Sequence, residues 1–289
     1  MTRILAATCA ALFLLPAVAQ ARPGHGGGRV PGDIREASAT GSATGNESVA
    51  TATASCPPST KAVGGGFSAP PSADVIGIGI VYESVKVDQR SWRASAQLLD
   101  LGGGSTTLTL TTYAYCRSRV PATRTTTATV PTSGEPQAGP TVTATCPRGT
   151  APLAGGFTMP PPLHAPVVSA LYFDSLRSGT NAWETRAVTG PAGPSTVTTE
   201  AYCARDAVAT TEADGATAPN AVDFSSSTAV AACPAGLSPS SGGFAQPDSG
   251  FMSFFFVYES RRAGSSWQVS ALHSGGSPAA ALDAAAYCG

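Results

Sequence analysis

The sequence predicts an all-β protein made of three repeated antiparallel modules, each with four or five strands. One residue order recurs from Cys56, Cys146 and Cys233, at a period of 90 and then 87 residues, and such internal repetition is typical of repeat architectures. Within each copy, apolar or small residues alternate with polar ones, as in strands that bury one face. No segment shows a sustained helical stripe, so the repeat and its period of two together indicate the fold class.

Each copy carries the same landmarks in the same order. It opens on Cys-Pro, and a Gly-Gly-Phe motif stands nine residues after the cysteine, at Gly65-Gly66-Phe67, Gly155-Gly156-Phe157 and Gly242-Gly243-Phe244. An apolar run then ends in an aromatic residue, an acid and a serine, as in Tyr82-Glu83-Ser84, Phe173-Asp174-Ser175 and Tyr258-Glu259-Ser260. A tryptophan follows, and the copy closes on Ala-Tyr-Cys, which ends at Cys116, Cys203 or Cys288.

The strands of a copy follow from its alternation and its turn residues. Counting back from Cys116 in steps of two gives Ala114, Thr112, Leu110 and Leu108, so the cysteine shares the inward phase of its strand. The runs Val75 to Tyr82, Val167 to Phe173 and Met252 to Tyr258 are rich in β-branched or aromatic residues and are predicted to be buried strands. Clusters of Gly and Pro lie before these runs and bound them.

These features divide the chain into a leader, a tail, three repeats and two connectors. The predicted boundaries are a signal peptide at 1–21, a flexible Gly-rich tail at 22–47, repeat 1 at 48–116, a connector at 117–140, repeat 2 at 141–203, a connector at 204–226 and repeat 3 at 227–289. Each connector is expected to hold at most one strand. The modules either close into one pseudo-threefold β-prism or stand in tandem as small sandwiches, and the sequence leaves both arrangements open.

Residues 1–21 have the pattern of a secretory signal peptide. Arg3 supplies the positive n-region, and Ile4 to Pro16 is apolar. This run is shorter than the roughly 20 residues of a membrane-spanning helix, and no later stretch reaches that length. We therefore expect a secreted, extracellular protein whose mature form has no membrane span.

Six of the seven cysteines remain when Cys9 leaves with the signal peptide. An even number in an exported chain indicates a disulfide framework. The repeat favours pairing within each copy, namely Cys56 with Cys116, Cys146 with Cys203 and Cys233 with Cys288. A competing scheme joins Cys116 with Cys146 and Cys203 with Cys233 across the connectors, which leaves Cys56 for Cys288.

Charge and motifs exclude several classes of function. Only 12% of the residues are charged and the net charge is -1, so we expect no nucleic-acid partner, because phosphate binding needs clustered Lys and Arg. No histidine pair has metal-ligand spacing, and the chain holds no nucleophile elbow, HExxH run or P-loop. Neither a metal nor another cofactor is expected.

The Cys-Pro opening, the Gly-Gly-Phe motif and the Ala-Tyr-Cys closure resemble modules of uncharacterised exported proteins from high G+C bacteria, a resemblance that implies no activity. More loosely, three β units that open and close on Cys are similar to the vitelline membrane outer layer protein family. That second resemblance covers residues 48–289 and implies a three-sided β-prism of pseudo-threefold symmetry. It matches no functional residue, and this chain departs from it in its long Thr- and Pro-rich connectors and its repeated tryptophan.

The repeated acids and tryptophans are the candidate ligand-binding residues. The acids are Glu83, Asp174 and Glu259, and paired carboxylates can hydrolyse glycosides or bind calcium. The tryptophans are Trp92, Trp183 and Trp267, and exposed indoles can stack on sugar rings. The structural alternatives are favoured for both sets: strand-end carboxylates that satisfy turn amides, and core tryptophans that anchor each module. The closing tyrosines, Tyr115, Tyr202 and Tyr287, either fill an interface between units or lie exposed.

A motif that occurs three times is more easily explained by packing or multivalent binding than by catalysis. We therefore expect a secreted, non-catalytic structural or surface-binding repeat protein that is stabilised by disulfides. The alternatives are a multivalent lectin for cell-envelope or extracellular glycans, which would use the repeated Trp and acid positions, and a secreted polysaccharide hydrolase, which would need two carboxylates converging from different units.

The signal peptide leads to a direct test. Cleavage after Ala19 or Ala21 should give an exported protein whose first residue is Gln20 or Arg22, because small residues precede both positions. N-terminal sequencing of the product recovered from the culture medium measures this. A mature protein that still begins at Met1 would contradict the assignment.

Overall fold

Every regular element of the described chain is a β-strand. The fold is taken from a computed structural model, which describes residues 34–71, 77–100, 106–120, 122–131, 137–161, 163–164, 167–168, 170–189, 196–205, 211–217, 225–247, 254–274 and 281–289. None of these residues is helical. The predicted all-β class is therefore confirmed, and the predicted signal peptide lies outside the described residues.

The strands form three antiparallel sheets of six strands and one two-stranded hairpin. In spatial order, sheet I contains β2 (Val49–Ser55), β5 (Ser91–Asp100), β4 (Gly77–Lys86), β9 (Ala151–Thr158), β14 (Thr196–Ala204) and β7 (Thr123–Pro131). Sheet II contains β8 (Gln137–Thr145), β13 (Ala182–Thr189), β12 (Ala170–Ser178), β17 (Pro239–Ala245), β20 (Asp283–Cys288) and β15 (Thr211–Ala216). Sheet III contains β16 (Ser226–Ala232), β19 (Ser266–Ser274), β18 (Phe254–Ala263), β3 (Lys61–Ser68), β6 (Thr107–Arg117) and β1 (Arg35–Thr44), and the hairpin pairs β10 (Leu163–His164) with β11 (Val167–Val168).

Each sheet is shared between two repeats. Its first three strands come from one repeat, and the other three, which include the Gly-Gly-Phe strand and the closing strand, come from the next. The two halves meet over short pairings: β4 pairs with β9 at Glu83–Thr158 and Ser84–Phe157. Strand β18 of repeat 3 pairs with β3 of repeat 1 in the same way, so the last repeat returns to the first and the ring closes.

Three phenylalanines mark the centre of this ring. Phe67, Phe157 and Phe244 each come from one Gly-Gly-Phe motif, and all three are buried. Their ring centroids are 6.1 to 6.5 Å apart and their planes are nearly perpendicular, which is the edge-to-face geometry that aromatic pairs prefer. The three sheets thus surround one common core in a pseudo-threefold prism, and the alternative of tandem sandwiches is wrong.

The alternation of residues explains the individual strands. In β2 the side chains of Ala50, Ala52 and Ala54 are buried while the residues between them are exposed, as the period of two predicts. Each acid-bearing strand also contains a bulge at the aromatic residue just before the acid, since the register shifts between Val81 and Glu83 and at the two equivalent positions. A bulge re-aims the residues that follow it, and here these are the acid and the serine.

The disulfides follow the pairing within each repeat. Cys56 bonds Cys116, Cys146 bonds Cys203 and Cys233 bonds Cys288, so the favoured scheme is confirmed. Each bridge joins the end of an opening strand in one sheet to the closing strand of the neighbouring sheet. Chain segments of this length give roughly 4 kcal/mol of stabilisation per bridge in the chain-entropy account.

Three predicted segments differ from expectation. Residues 35–44, assigned to the flexible tail, form β1, which pairs with β6 over ten residues from Arg35–Cys116 to Thr44–Thr107. The connector 117–140 contains β7 and the start of β8, and the connector 204–226 contains β15 and the first residue of β16. Strands β1, β7 and β15 each pair with the closing strand of a repeat, which would otherwise leave one backbone edge unpaired.

Ring closure makes the three repeats interdependent. A chain that ends at residue 205 would lose half of sheets II and III, so we expect it to show no cooperative thermal transition by circular dichroism. A circular permutant that begins at 122, ends at 120 and joins Gly289 to Ile34 through a flexible linker of about six residues is the control. It keeps every strand pairing and should melt close to the parent chain. A sharp transition in the shortened chain would contradict the shared-sheet account.

Candidate functional site

The repeated landmarks meet in three equivalent clusters, which we call the joints. At the first joint, the indole of Trp92 lies on Gly65, so closely that a Cβ on Gly65 would be 2.1 Å from the ring. The Trp92 Nε1 donates a hydrogen bond of 3.0 Å to the Ser84 Oγ. The other repeats reproduce both contacts, with Trp183 on Gly155 and Ser175 and with Trp267 on Gly242 and Ser260. The first glycine of the motif is therefore needed for space.

The closing tyrosine of the next repeat completes each joint. Tyr202 of repeat 2 meets Trp92 of repeat 1 edge-on at 5.4 Å, and its hydroxyl accepts a 2.7 Å hydrogen bond from the Lys86 backbone N–H. The equivalent pairs are Tyr287 with Trp183 and the Arg177 N–H, and Tyr115 with Trp267 and the Arg262 N–H. All three tyrosines are at most 2% exposed, so they fill the interface between repeats.

The second glycine lets neighbouring repeats approach each other. A Cβ on Gly66 would lie 2.5 Å from the Ser260 carbonyl oxygen, which belongs to the preceding repeat in the ring. Gly156 and Gly243 face the carbonyls of Ser84 and Ser175 at the same range. Each residue of the Gly-Gly-Phe motif thus has its own role. The first glycine leaves room for the indole, the second leaves room for the neighbouring backbone, and the phenylalanine ring packs at the central axis.

The three acids lie beside the joints and are paired with arginines. Glu83 accepts a hydrogen bond from the Arg93 Nε at 3.0 Å and one from the Ser95 Oγ at 2.7 Å. Asp174 is 2.6 Å from the Arg186 Nε and accepts the Gln246 backbone N–H at 2.8 Å. Glu259 is held by Arg261 and by three further donors, Ser68, Ser270 and Gln268. Each carboxylate is engaged by an arginine of its own repeat.

The acids differ in their electrostatics. Burial raises the pKa of the Asp174 carboxyl above its usual range, although Gln246 and Arg186 oppose the shift. Burial would also raise the pKa of Glu259, but the hydrogen bonds from Arg261, Ser270 and Gln268 outweigh it, and this pKa lies below its usual range. Asp174 and Glu259 thus occupy equivalent positions in different environments.

The structure places the three candidate tryptophans in the core. The tryptophans are 1 to 2% exposed and cannot serve as stacking platforms. The arginine partners had no repeated signal in the sequence, because Arg93 follows Trp92 directly, Arg186 comes three residues after Trp183, and Arg261 comes two residues after Glu259. The Ser partner of the indole was visible as part of the repeated aromatic-acid-serine motif.

The described residues contain no group of three or more His, Cys, Asp and Glu side chains placed to hold a metal ion. Among the same residues, no helix has the length and apolar character needed to cross a membrane.

Comparison with known proteins adds no relative. No protein-family model matches the chain, and no curated protein matches its sequence. The fold and the joints define it as a closed three-repeat β protein whose repeats share their sheets.

If the tryptophans are core residues, removing one should destabilise the protein. Trp183→Ala should cost roughly 3 to 5 kcal/mol, the usual range for truncating a large buried aromatic side chain, and should lower the melting temperature by roughly 6 to 20 °C for a domain of this size. Val230→Ala is the control, because Val230 is 48% exposed, and it should change little. A Trp183→Ala protein that melts with the parent chain would show that the indole is not part of the core.

The joint tyrosines should make the fold sensitive to alkali. Burial raises the pKa of Tyr115, Tyr202 and Tyr287 well above the ordinary value of 10.0. Above pH 10.0 the unfolded chain loses tyrosine protons that the folded protein keeps. The contribution of these tyrosines to the free energy of unfolding is therefore fully present below pH 10.0 and falls as the pH rises. In absorbance titration at high pH, three or more of the seven tyrosines should ionise only as the protein unfolds. In denaturant all seven should ionise together near their ordinary pKa, and the same behaviour in the folded protein would contradict the burial of the joints.

Proposed function

We propose that this protein is an exported, non-catalytic structural scaffold whose three repeats are locked into a ring by disulfides and joints. One observation carries the proposal. The residues that recur three times are enclosed between repeats and bound to partners within the ring, as the 1 to 2% exposure of all three tryptophans illustrates. The repeated tryptophans and tyrosines therefore serve to close the ring.

The paired acids support a non-catalytic role. A retaining or inverting glycosidase needs two carboxyl groups that flank one bond. Glu83, Asp174 and Glu259 instead lie on β4, β12 and β18 in three different sheets. Each is committed to an arginine within hydrogen-bond or ion-pair distance, so the arrangement favours structural ion pairs over a reacting pair.

The disulfides and the surface support export. Three disulfides are typical of chains that fold in an oxidising compartment. The outer surface presents uncharged threonine hydroxyls, which form hydrogen bonds across paired strands. Examples are Thr129 with Thr198 at 2.9 Å and Thr44 with Thr107 at 3.1 Å. Such a surface fits a protein that meets solvent or an envelope without strong electrostatic attraction.

The lectin hypothesis and the family resemblance receive different support. A lectin that stacks sugars on the repeated tryptophans is not supported, since those rings have no free face. The likeness to the vitelline membrane outer layer protein family stays a proposal about fold, and the pseudo-threefold arrangement of three sheets supports it.

The enzyme alternative can be tested at the acids. We expect the parent chain to release no reducing ends from soluble glucans, xylans, chitosans or peptidoglycan fragments. Glu83→Gln should lower the melting temperature, because the Arg93 and Ser95 contacts lose a charged partner. Glu184→Gln, which removes the same charge from the tryptophan-bearing strand β13, should not. Turnover that the parent shows and that Glu83→Gln loses while remaining folded would identify an enzyme instead.

A further inference from the structure

The outer faces of the three sheets are built on equivalent positions. On sheet II the described residues line an open surface pocket of about 350 Å³. We call it the sheet II pocket. The residues that line it include Leu176, Asp214, Ala216, Ala245, Asp283 and Ala285. Among the described residues, those that line it carry two acids and no basic side chain.

Strand register shows how the pocket arises. The residue that pairs with the second glycine of Gly-Gly-Phe is Tyr113 on sheet III and Glu200 on sheet I, but Ala285 on sheet II. On sheet III, the ring of Tyr113 fills this place and the Arg261 guanidinium lies over it at 5.7 Å. The alanine therefore removes a large side chain from one of three equivalent places.

A second row of positions repeats the pattern. On sheets III and I, two threonines form a hydrogen bond between the edge strand and the strand next to it. The pairs are Thr40 with Thr111 at 3.4 Å and Thr129 with Thr198 at 2.9 Å. On sheet II the equivalent pair is Ala216 with Asp283. A hydroxyl pair that satisfies itself is thus replaced by a methyl group and a carboxylate.

The two carboxylates of the pocket share a face. Asp214 pairs directly with Ala285, and Asp283 stands two residues before Ala285 on β20. Residues two apart on a strand project to the same side, and diagonal neighbours on adjacent strands lie roughly 7 to 8 Å apart. Asp214 is exposed and Asp283 is half-buried, so one acid lies at the rim and the other lies deeper.

The surroundings of the pocket are negative as well. Glu212 lies next to Asp214 on the same face of β15, and burial together with the Asp214 charge raises the pKa of Glu212, against the influence of Arg177. Arg177 is engaged elsewhere, since its guanidinium lies 4.3 Å over the Tyr287 ring and donates to the Pro152 carbonyl. A cation entering the pocket would meet carboxylates before it met a competing basic group.

We propose that the sheet II pocket binds an aliphatic ammonium group, with the methylene stem against Leu176, Ala245 and Ala285 and the nitrogen between Asp214 and Asp283. The apolar floor suits a methylene chain, and the paired acids suit a cation that donates several hydrogen bonds. Such a group is found on free diamines and on lysine side chains of polypeptides. The proposal is independent of the scaffold function, because it uses residues that the joints do not contain.

The probe for this site is 1,5-diaminopentane, titrated into the ¹⁵N-labelled protein at low ionic strength. We expect the amide signals of Ala245 and Ala285 to shift in a saturable way, and the uncharged 1,5-pentanediol to bind at least about tenfold more weakly, a difference of about 1.4 kcal/mol. Asp214→Asn should weaken binding by a similar factor without changing the melting temperature, since this residue is exposed. Glu36→Gln on β1 removes the same charge from the outer side of sheet III and should leave binding unchanged.

Filling the pocket gives a second, steric test. Ala285→Tyr installs the residue type that sheet III has at the equivalent position, and it should abolish the shifts. If that variant does not fold, Asp283→Asn together with Asp214→Asn still decides the question. Equal affinities in the parent, Asp214→Asn and the double variant, or no saturable shift at about 10 mM diamine, would overturn the proposal.

The source of the ammonium group is separated by one further titration. An acetylated lysine methylamide carries the same stem and nitrogen attached to a peptide backbone. Binding of this peptide at or above the diamine affinity would indicate a polypeptide ligand. Binding of the diamine alone would indicate a free amine, and either result keeps the assigned chemistry.

Discussion

The contact between the closing tyrosine of one repeat and the tryptophan of the repeat before it holds the architecture together. The tyrosine hydroxyl accepts a backbone N–H from the preceding repeat, and its ring lies edge-on to the indole. A buried N–H left without an acceptor would cost about 1 to 3 kcal/mol. The same contact therefore contributes both packing and hydrogen bonding at each of the three places where repeats meet, and the short pairings such as β4 with β9 depend on it.

Symmetry separates structural from functional residues in this chain. The tryptophans and tyrosines occur at three equivalent places and are explained by closure of the ring, whereas each acid forms an ion pair with an arginine of its own repeat. Among the described residues, sheet II departs from the other two sheets at the pocket, because Ala285 and Ala216 stand where the other sheets have larger residues. In a pseudo-threefold protein, a departure from symmetry is thus a better indicator of a binding site than the repeated motif.

Much of the fold could be predicted from local pattern. The inward phase of the closing cysteines indicated the disulfides, and the alternation of small and polar residues indicated the strands. The same alternation was present before repeat 1, where Ala37 and Ala39 lie between polar residues, yet it was outweighed by the glycine content of the preceding residues. The sharing of sheets between repeats could not be predicted, because partner choice rests on only one or two residue pairs at each junction and no sequence period records it. The arginine partners were missed for a related reason, since they reach equivalent acids from different offsets.

If the three repeats form one cooperative unit, calorimetry of the intact, oxidised protein should show it. Because every sheet is shared, unfolding of one repeat should remove half of the sheets on either side of it. We therefore expect one transition whose calorimetric enthalpy equals its van't Hoff enthalpy. Separate transitions, or a calorimetric enthalpy roughly three times the van't Hoff value, would show that the repeats unfold independently and would contradict the closed ring.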